Sequence, residues 1–246
     1  MIKFFRKIRQ KMLTENKFSK YLLYAIGEIA LVMIGIILAL QVNNQNEIRK
    51  LNNLYKTYEV NIISELKTDL LKLNEMDSLG KVRTVTIENY VDYFNTDKLD
   101  TNILKSKADS LRLNLNFFGT STYTIQDLLS TGNLKLFPSH KRNALLKYKN
   151  FADKITVAEF KSLEQVDEVT LDFRKEIDLL FSFNYTQKEH TEVKNWEYNI
   201  DSPQMRMRNN SLSYYLKLYQ RQERIYESIR KETIKLIEIL ENNNKG

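Results

Sequence analysis

The chain has 246 residues, 42% hydrophobic and 28% charged, a balance that suits a folded protein with one sizeable domain or two small ones. It has no cysteine, which excludes disulfides, zinc–thiolate sites, iron–sulfur clusters and thiol nucleophiles, and its six glycines and two prolines are too few for a many-stranded β fold. The net charge of +7 is concentrated at one end: residues 1–20 hold Lys3, Arg6, Lys7, Arg9, Lys11, Lys17 and Lys20 against Glu15, so the chain beyond residue 40 is close to neutral and lacks the basic face that nucleic-acid binding needs.

In the basic tail, Phe5, Ile8 and Met12 recur at helical spacing beside Lys3, Arg6, Lys7, Arg9 and Lys11. That pattern either lays a helix on an anionic leaflet, at about 1 kcal/mol per basic residue, or serves only to set topology. Residues 21–40 follow, apolar but for Glu28, and at 1.5 Å per residue they span roughly 30 Å, the thickness of a hydrocarbon core. A cleavable signal peptide has the same order of basic and apolar regions. The long basic region, the length of the apolar run and the poor cleavage site at Ala39-Leu40-Gln41 weigh against it. The excess of cations before the span predicts a cytoplasmic N-terminus, with Tyr21 and Tyr24 at the boundary.

Glu28 lies about 10 Å inside the span, where a carboxylate costs about 2.5–3.5 kcal/mol unless it is protonated or paired. At 100° per residue, Gly35 and Ala39 fall within about 20° of Glu28 and Ala25 within about 60°. Ala25, Glu28, Gly35 and Ala39 therefore form one face on which a second helix can approach closely and share a carboxyl hydrogen bond. The alternative is a tolerated, protonated glutamate with the small residues beside it by chance. An ion path is disfavoured, because a single span cannot enclose one.

Beyond the span, Leu51, Tyr55, Tyr58, Ile62, Leu66, Leu70, Leu73 and Met76 are three or four residues apart and predict a helix over 44–79. Shorter helices are expected over 84–94 and 101–113, with a turn at 95–98. A two-turn helix capped by Ser or Thr is expected from near Thr122, closed by Gly132. Pro138 opens a helix expected to reach about Phe183, with Phe160, Leu163, Val166, Val169, Phe173, Ile177 and Leu180 as its inward stripe. Residues 184–210, with Trp196 and Pro203, read as an irregular segment, either a binding loop or a connector with Trp196 tucked into the core. The last helix, over 211–240, carries Leu212, Tyr215, Tyr219, Gln222, Tyr226, Ile229, Thr233, Leu236 and Leu240 as a heptad seam. The expected fold is all-α: a tail over 1–20, a transmembrane helix over 21–40, and an elongated bundle of long, coiled-coil-like helices over 41–246.

Three stretches, Met-Ile-Lys-Phe-Phe-Arg-Lys-Ile-Arg-Gln10, Lys20-Tyr-Leu-Leu-Tyr-Ala-Ile-Gly-Glu-Ile29 and Gly35-Ile-Ile-Leu-Ala-Leu-Gln-Val-Asn-Asn44, resemble a family of single-pass membrane proteins with a domain of unknown function, widespread in Bacteroidota and especially flavobacteria. Residues 123–136, Tyr-Thr-Ile-Gln-Asp-Leu-Leu-Ser-Thr-Gly-Asn-Leu-Lys-Leu, resemble its second recognisable block. The resemblance is strong over the first 45 or so residues and weak beyond them, and Gln45 departs from it where a tryptophan is expected. It implies the inner membrane of a bacterium, with a periplasmic C-terminal domain, and carries no activity.

Chemistry is sparse. His140 and His190 belong to no metal or triad spacing, there is no glycine-rich phosphate loop, and no motif implies a cofactor. Glu189, His190 and Glu192 read as solvated loop residues, and Glu164, Asp167, Glu168, Asp172 and Glu176 as the wet side of a helix. The expectation is therefore no enzyme. Partners are the lipid bilayer and either another protein or a second copy. Two roles remain: a membrane-tethered interaction or scaffold module, or a sensor ectodomain that signals through a partner.

Overall fold

The computed structural model describes residues 18–242, and among these it is all-α, with no strand. Helix α1 is Phe18–Phe94, α2 is Thr101–Asp109, α3 is Tyr123–Ser130, α4 is Ser139–Lys175, α5 is the single turn Leu179–Ser182, and α6 is Pro203–Glu241. Short 3-10 turns stand at Asn133–Leu136, Thr191–Val193 and Trp196–Tyr198.

The chain divides into a first unit ending at Thr57 and a packed unit beginning at Tyr58. In the first, α1 contains a stretch long and apolar enough to cross a membrane, with a mean hydropathy of 2.4 and none of it buried. The large apolar side chains from Leu22 to Val42 are exposed, as is Leu51, which the sequence pattern places inward.

In the packed unit, α1, α4 and α6 are the long helices. Helix α6 runs antiparallel to α4, as hydrogen bonds show from Tyr148 to Thr233, Gln222 to Glu159, and Ser211 to the Val169 carbonyl. All nine residues of the expected seam on α6 are buried. Two core clusters lie along it. One joins Ile87, Tyr90, Leu104, Val166, Met205 and Leu212, and the other joins Leu73, Phe118, Tyr226 and Ile229.

Several boundaries differ from those expected. Gly80 does not end a helix: α1 continues through it to Phe94, because the three- and four-residue spacing runs on through Ile87 and Tyr90, which are fully buried. A glycine inside a helix costs about 1 kcal/mol relative to alanine, less than this burial returns. Helix α2 stops at Asp109, and residues 111–122 run on as irregular, mostly half-buried chain around the buried Phe118. Thr122 makes no side-chain cap for α3, and Glu65 of α1 does so instead, accepting from the Thr124 backbone N–H and hydroxyl. Gly132 does close that segment, at φ +71°.

Helix α4 ends at Lys175 rather than near Phe183, and Asp178 then accepts from the backbone N–H of Phe181 and His190, restarting the chain as α5. The last helix begins eight residues earlier than expected. Ser202 accepts from the Met205 N–H at 3.1 Å, and Pro203 fills the first helical position.

Candidate functional site

Three places hold the polar or apolar groups that a function needs: the apolar face of α1, a track of buried polar side chains, and the end of the packed unit where α1 finishes.

On α1, Ala25 and Glu28 are half-buried, whereas Gly35 and Ala39 are exposed. Glu28 is engaged in an interaction. A Cβ added at Gly35 meets no atom within 4 Å, so the notch left by the missing side chain faces open space. The four residues share one side of the helix by its period alone. The tail cations Lys3, Arg6, Lys7, Arg9 and Lys11 lie outside the described residues.

The buried polar track was not visible in the sequence. Its purpose is to hold residues 111–122, a strap without secondary structure of its own whose backbone groups must still find partners. Tyr219 of α6 accepts from the Asn114 N–H and donates to the Asn114 carbonyl, both at 3.2 Å, much as a neighbouring strand would. Gln222 donates to the Asn116 carbonyl at 2.7 Å, and Lys72 of α1 to the Phe118 carbonyl at 2.7 Å. Glu159 Oε1 accepts three bonds at 3.2 Å, from the Phe118 N–H, Gln222 and the Tyr226 hydroxyl. Asp69 accepts from the Ser121 N–H and hydroxyl, each at 2.7 Å.

Glu159 and Asp69 are each 1% exposed. Burial pushes both carboxyl groups above their ordinary values, against the opposing pull of the bonds they accept and of nearby Lys72. Tyr226 is pushed up by burial and by Glu159 beside it, and burial carries Tyr148 up to about 12. Lys141, 3% exposed, donates to Glu59 at 2.7 Å and to the Leu240 carbonyl at 2.6 Å, tying the start of α4 to α1 and to the end of α6. These groups pair with one another and with backbone, which is what a structural polar core requires.

The sequence stripe on α4 missed Glu159 because it ran through Phe160. Phe160 instead packs against Phe117 of the strap, ring centroids 4.4 Å apart, and stays half exposed, while Glu159, Ser162, Val166 and Thr170 face inward. Leu180 is likewise exposed.

At the end where α1 finishes, Trp196 is 7% exposed and stands edge-on to Phe173 at 5.5 Å. The Arg208 guanidinium sits 5.0 Å from the Trp196 ring and 5.6 Å from Tyr90, with one nitrogen 3.3 Å from the Tyr90 hydroxyl. Arg208 is 8% exposed, and its Nε and the Thr170 hydroxyl lack hydrogen-bond partners. The tryptophan is therefore a core residue, and the segment around it is a tethered connector.

His140 and His190 are exposed, as are Glu164, Asp167, Glu168, Asp172 and Glu176. Glu189 accepts from the Asn195 N–H and so shapes its loop. Among the described residues no three His, Asp or Glu side chains converge as metal ligands would. No family model matches this chain, and neither a curated protein nor a solved structure matches it.

Proposed function

We propose that this protein is a membrane-tethered helical interaction or scaffold module, anchored by α1 in the inner membrane of a bacterium, with a cytoplasmic N-terminus and a periplasmic packed unit. The observation that carries the reading is the apolar stretch of α1, mean hydropathy 2.4 with none of it buried, attached to a bundle that completes its own core. An apolar surface of that length is stable only in lipid or against another chain. The cation excess before the span supports the orientation. A reporter active only outside the cytoplasm, fused after Gly246, is expected to be active, and an inactive fusion at normal abundance would reverse the orientation.

Lipid and a protein partner or second copy are the partners on this reading, and nucleic acid is not. The resemblance of residues 1–44 to the single-pass Bacteroidota family supports the same location. Association is assigned to the face of Ala25, Glu28, Gly35 and Ala39, where small residues permit close backbone approach. In a two-hybrid assay for membrane helices, Gly35→Ile is expected to cut association at least about fivefold, a loss of roughly 1 kcal/mol. Ile36→Leu should leave it unchanged. Equal association by Gly35→Ile would remove this face from the interface.

A second reading, the ectodomain of a sensor complex, draws support from α1, which runs without a break from Phe18 to Phe94. On this reading the signal passes through a partner.

A further inference from the structure

The outward side of the α4 and α6 pair holds a groove of about 550 Å³. Val166 and Leu218, 1% and 2% exposed, form its floor. Along the α6 wall stand Lys217, Arg221 and Arg224, at the spacings of four and three residues that align side chains on one helix face. Glu168 stands on the α4 wall.

Two other cations on the same helix are matched by carboxylates. Arg230 faces Asp77 at 3.8 Å and Lys231 pairs with Glu227 at 2.7 Å. Among the described residues, Lys217, Arg221 and Arg224 make no ion pair, although Lys217 lies over the Tyr214 ring at 5.3 Å. Three exposed cations thus stand in a row along one concave wall, where a low-dielectric floor strengthens their field.

We propose that this groove docks an acidic segment of a partner protein, its carboxylates on the Lys217, Arg221 and Arg224 wall. The inference rests on the interaction-module reading and names the partner's chemistry. Charge complementarity selects the occupant. From Tyr214 to Arg224 the wall is roughly 15 Å long, room for four or five extended residues or about three helical turns. Its carboxylate pairs would be bidentate at the two arginines.

The test uses the full chain in nanodiscs of zwitterionic lipid and a fluorescein-labelled peptide, Glu-Glu-Leu-Glu-Glu-Leu, followed by anisotropy. Binding is expected to weaken about tenfold in Arg221→Glu/Arg224→Glu and about threefold in Arg221→Gln/Arg224→Gln. It should change less than about twofold in Lys147→Glu/Lys161→Glu, which alters net charge equally on exposed α4 positions outside the groove. A melting transition retained by each variant shows that the fold is intact. Equal weakening in the α4 variant would overturn the proposal in favour of a diffuse field. Binding of anionic vesicles without peptide binding would overturn it in favour of lipid, and a dimer dissociated by Arg221→Glu/Arg224→Glu without peptide binding would assign the groove to a second copy. Failure of the peptide while Gly35→Ile still breaks association removes the groove and leaves the module reading standing.

Discussion

Glu159→Ala is expected to destabilise the packed unit by about 3 kcal/mol, because it strips one acceptor from three donors at once. The Phe118 N–H, the Gln222 amide and the Tyr226 hydroxyl all converge on Glu159 Oε1, and each buried donor left unmatched costs about 1–3 kcal/mol, partly relieved if water enters. For a unit of this size that is a fall in melting temperature of roughly 6–12 °C, read by circular dichroism. Glu159→Gln keeps the oxygen and removes the charge, so it should be neutral or slightly stabilising at neutral pH. A large loss in the glutamine variant would mean that the charge itself holds the strap, through Lys72.

The pH dependence has a definite sign. Burial raises the folded-state values of Glu159 and Asp69 above their unfolded ones, so the folded state holds more protons than the unfolded state between the two. Their contribution to stability is fully present below the ordinary carboxylate value and declines as pH rises through the raised one. Glu159→Gln should therefore flatten that decline in a melting series taken from acidic to neutral pH, and a parallel slope in both proteins would assign the effect to other groups.

Trp196→Ala should cost 3–5 kcal/mol, the range for deleting a buried large aromatic, and should lower the melting temperature by roughly 6–20 °C. The indole is the meeting point of the connector, the Phe173 ring on α4 and the Arg208 guanidinium on α6. Arg208→Met should behave in the opposite sense. The guanidinium is 8% exposed without a carboxylate and with its Nε unmatched, so replacing it with an apolar chain of similar length is expected to be neutral or stabilising by about 1 kcal/mol. In the double variant, losing the indole should cost less than in the natural chain by the ring's interaction with the cation, about 0.5–2 kcal/mol. Destabilisation by Arg208→Met exceeding 2 kcal/mol would show that ring stacking outweighs desolvation here.

What the sequence determined follows from periodicity and punctuation, which are local. The apolar run over 21–40 was legible from its unbroken length and the seam on α6 from the three- and four-residue spacing that burial along a helix leaves. Gly132 was legible because a left-handed residue after a helix favours glycine, and the acidic face of α4 because five carboxylates at helical spacing belong in water. The Ser202-Pro203 start of α6 is an equally local signal. Only the tertiary structure decided the rest. Whether Gly80 stops a helix depends on Ile87 and Tyr90 finding cover beyond it, and where α3 is capped depends on Glu65, 59 positions away in the chain. Glu159, Asp69 and Gln222 are buried to serve the backbone of one strap, which Lys72 also reaches from its exposed position, and a polar residue that faces inward to meet a distant carbonyl or N–H has no local signature, since the same residue type on the same helix is far more often solvated. The groove on α6 has the same origin: three unpaired cations on one helix become a concave wall only once α4 lies beside them.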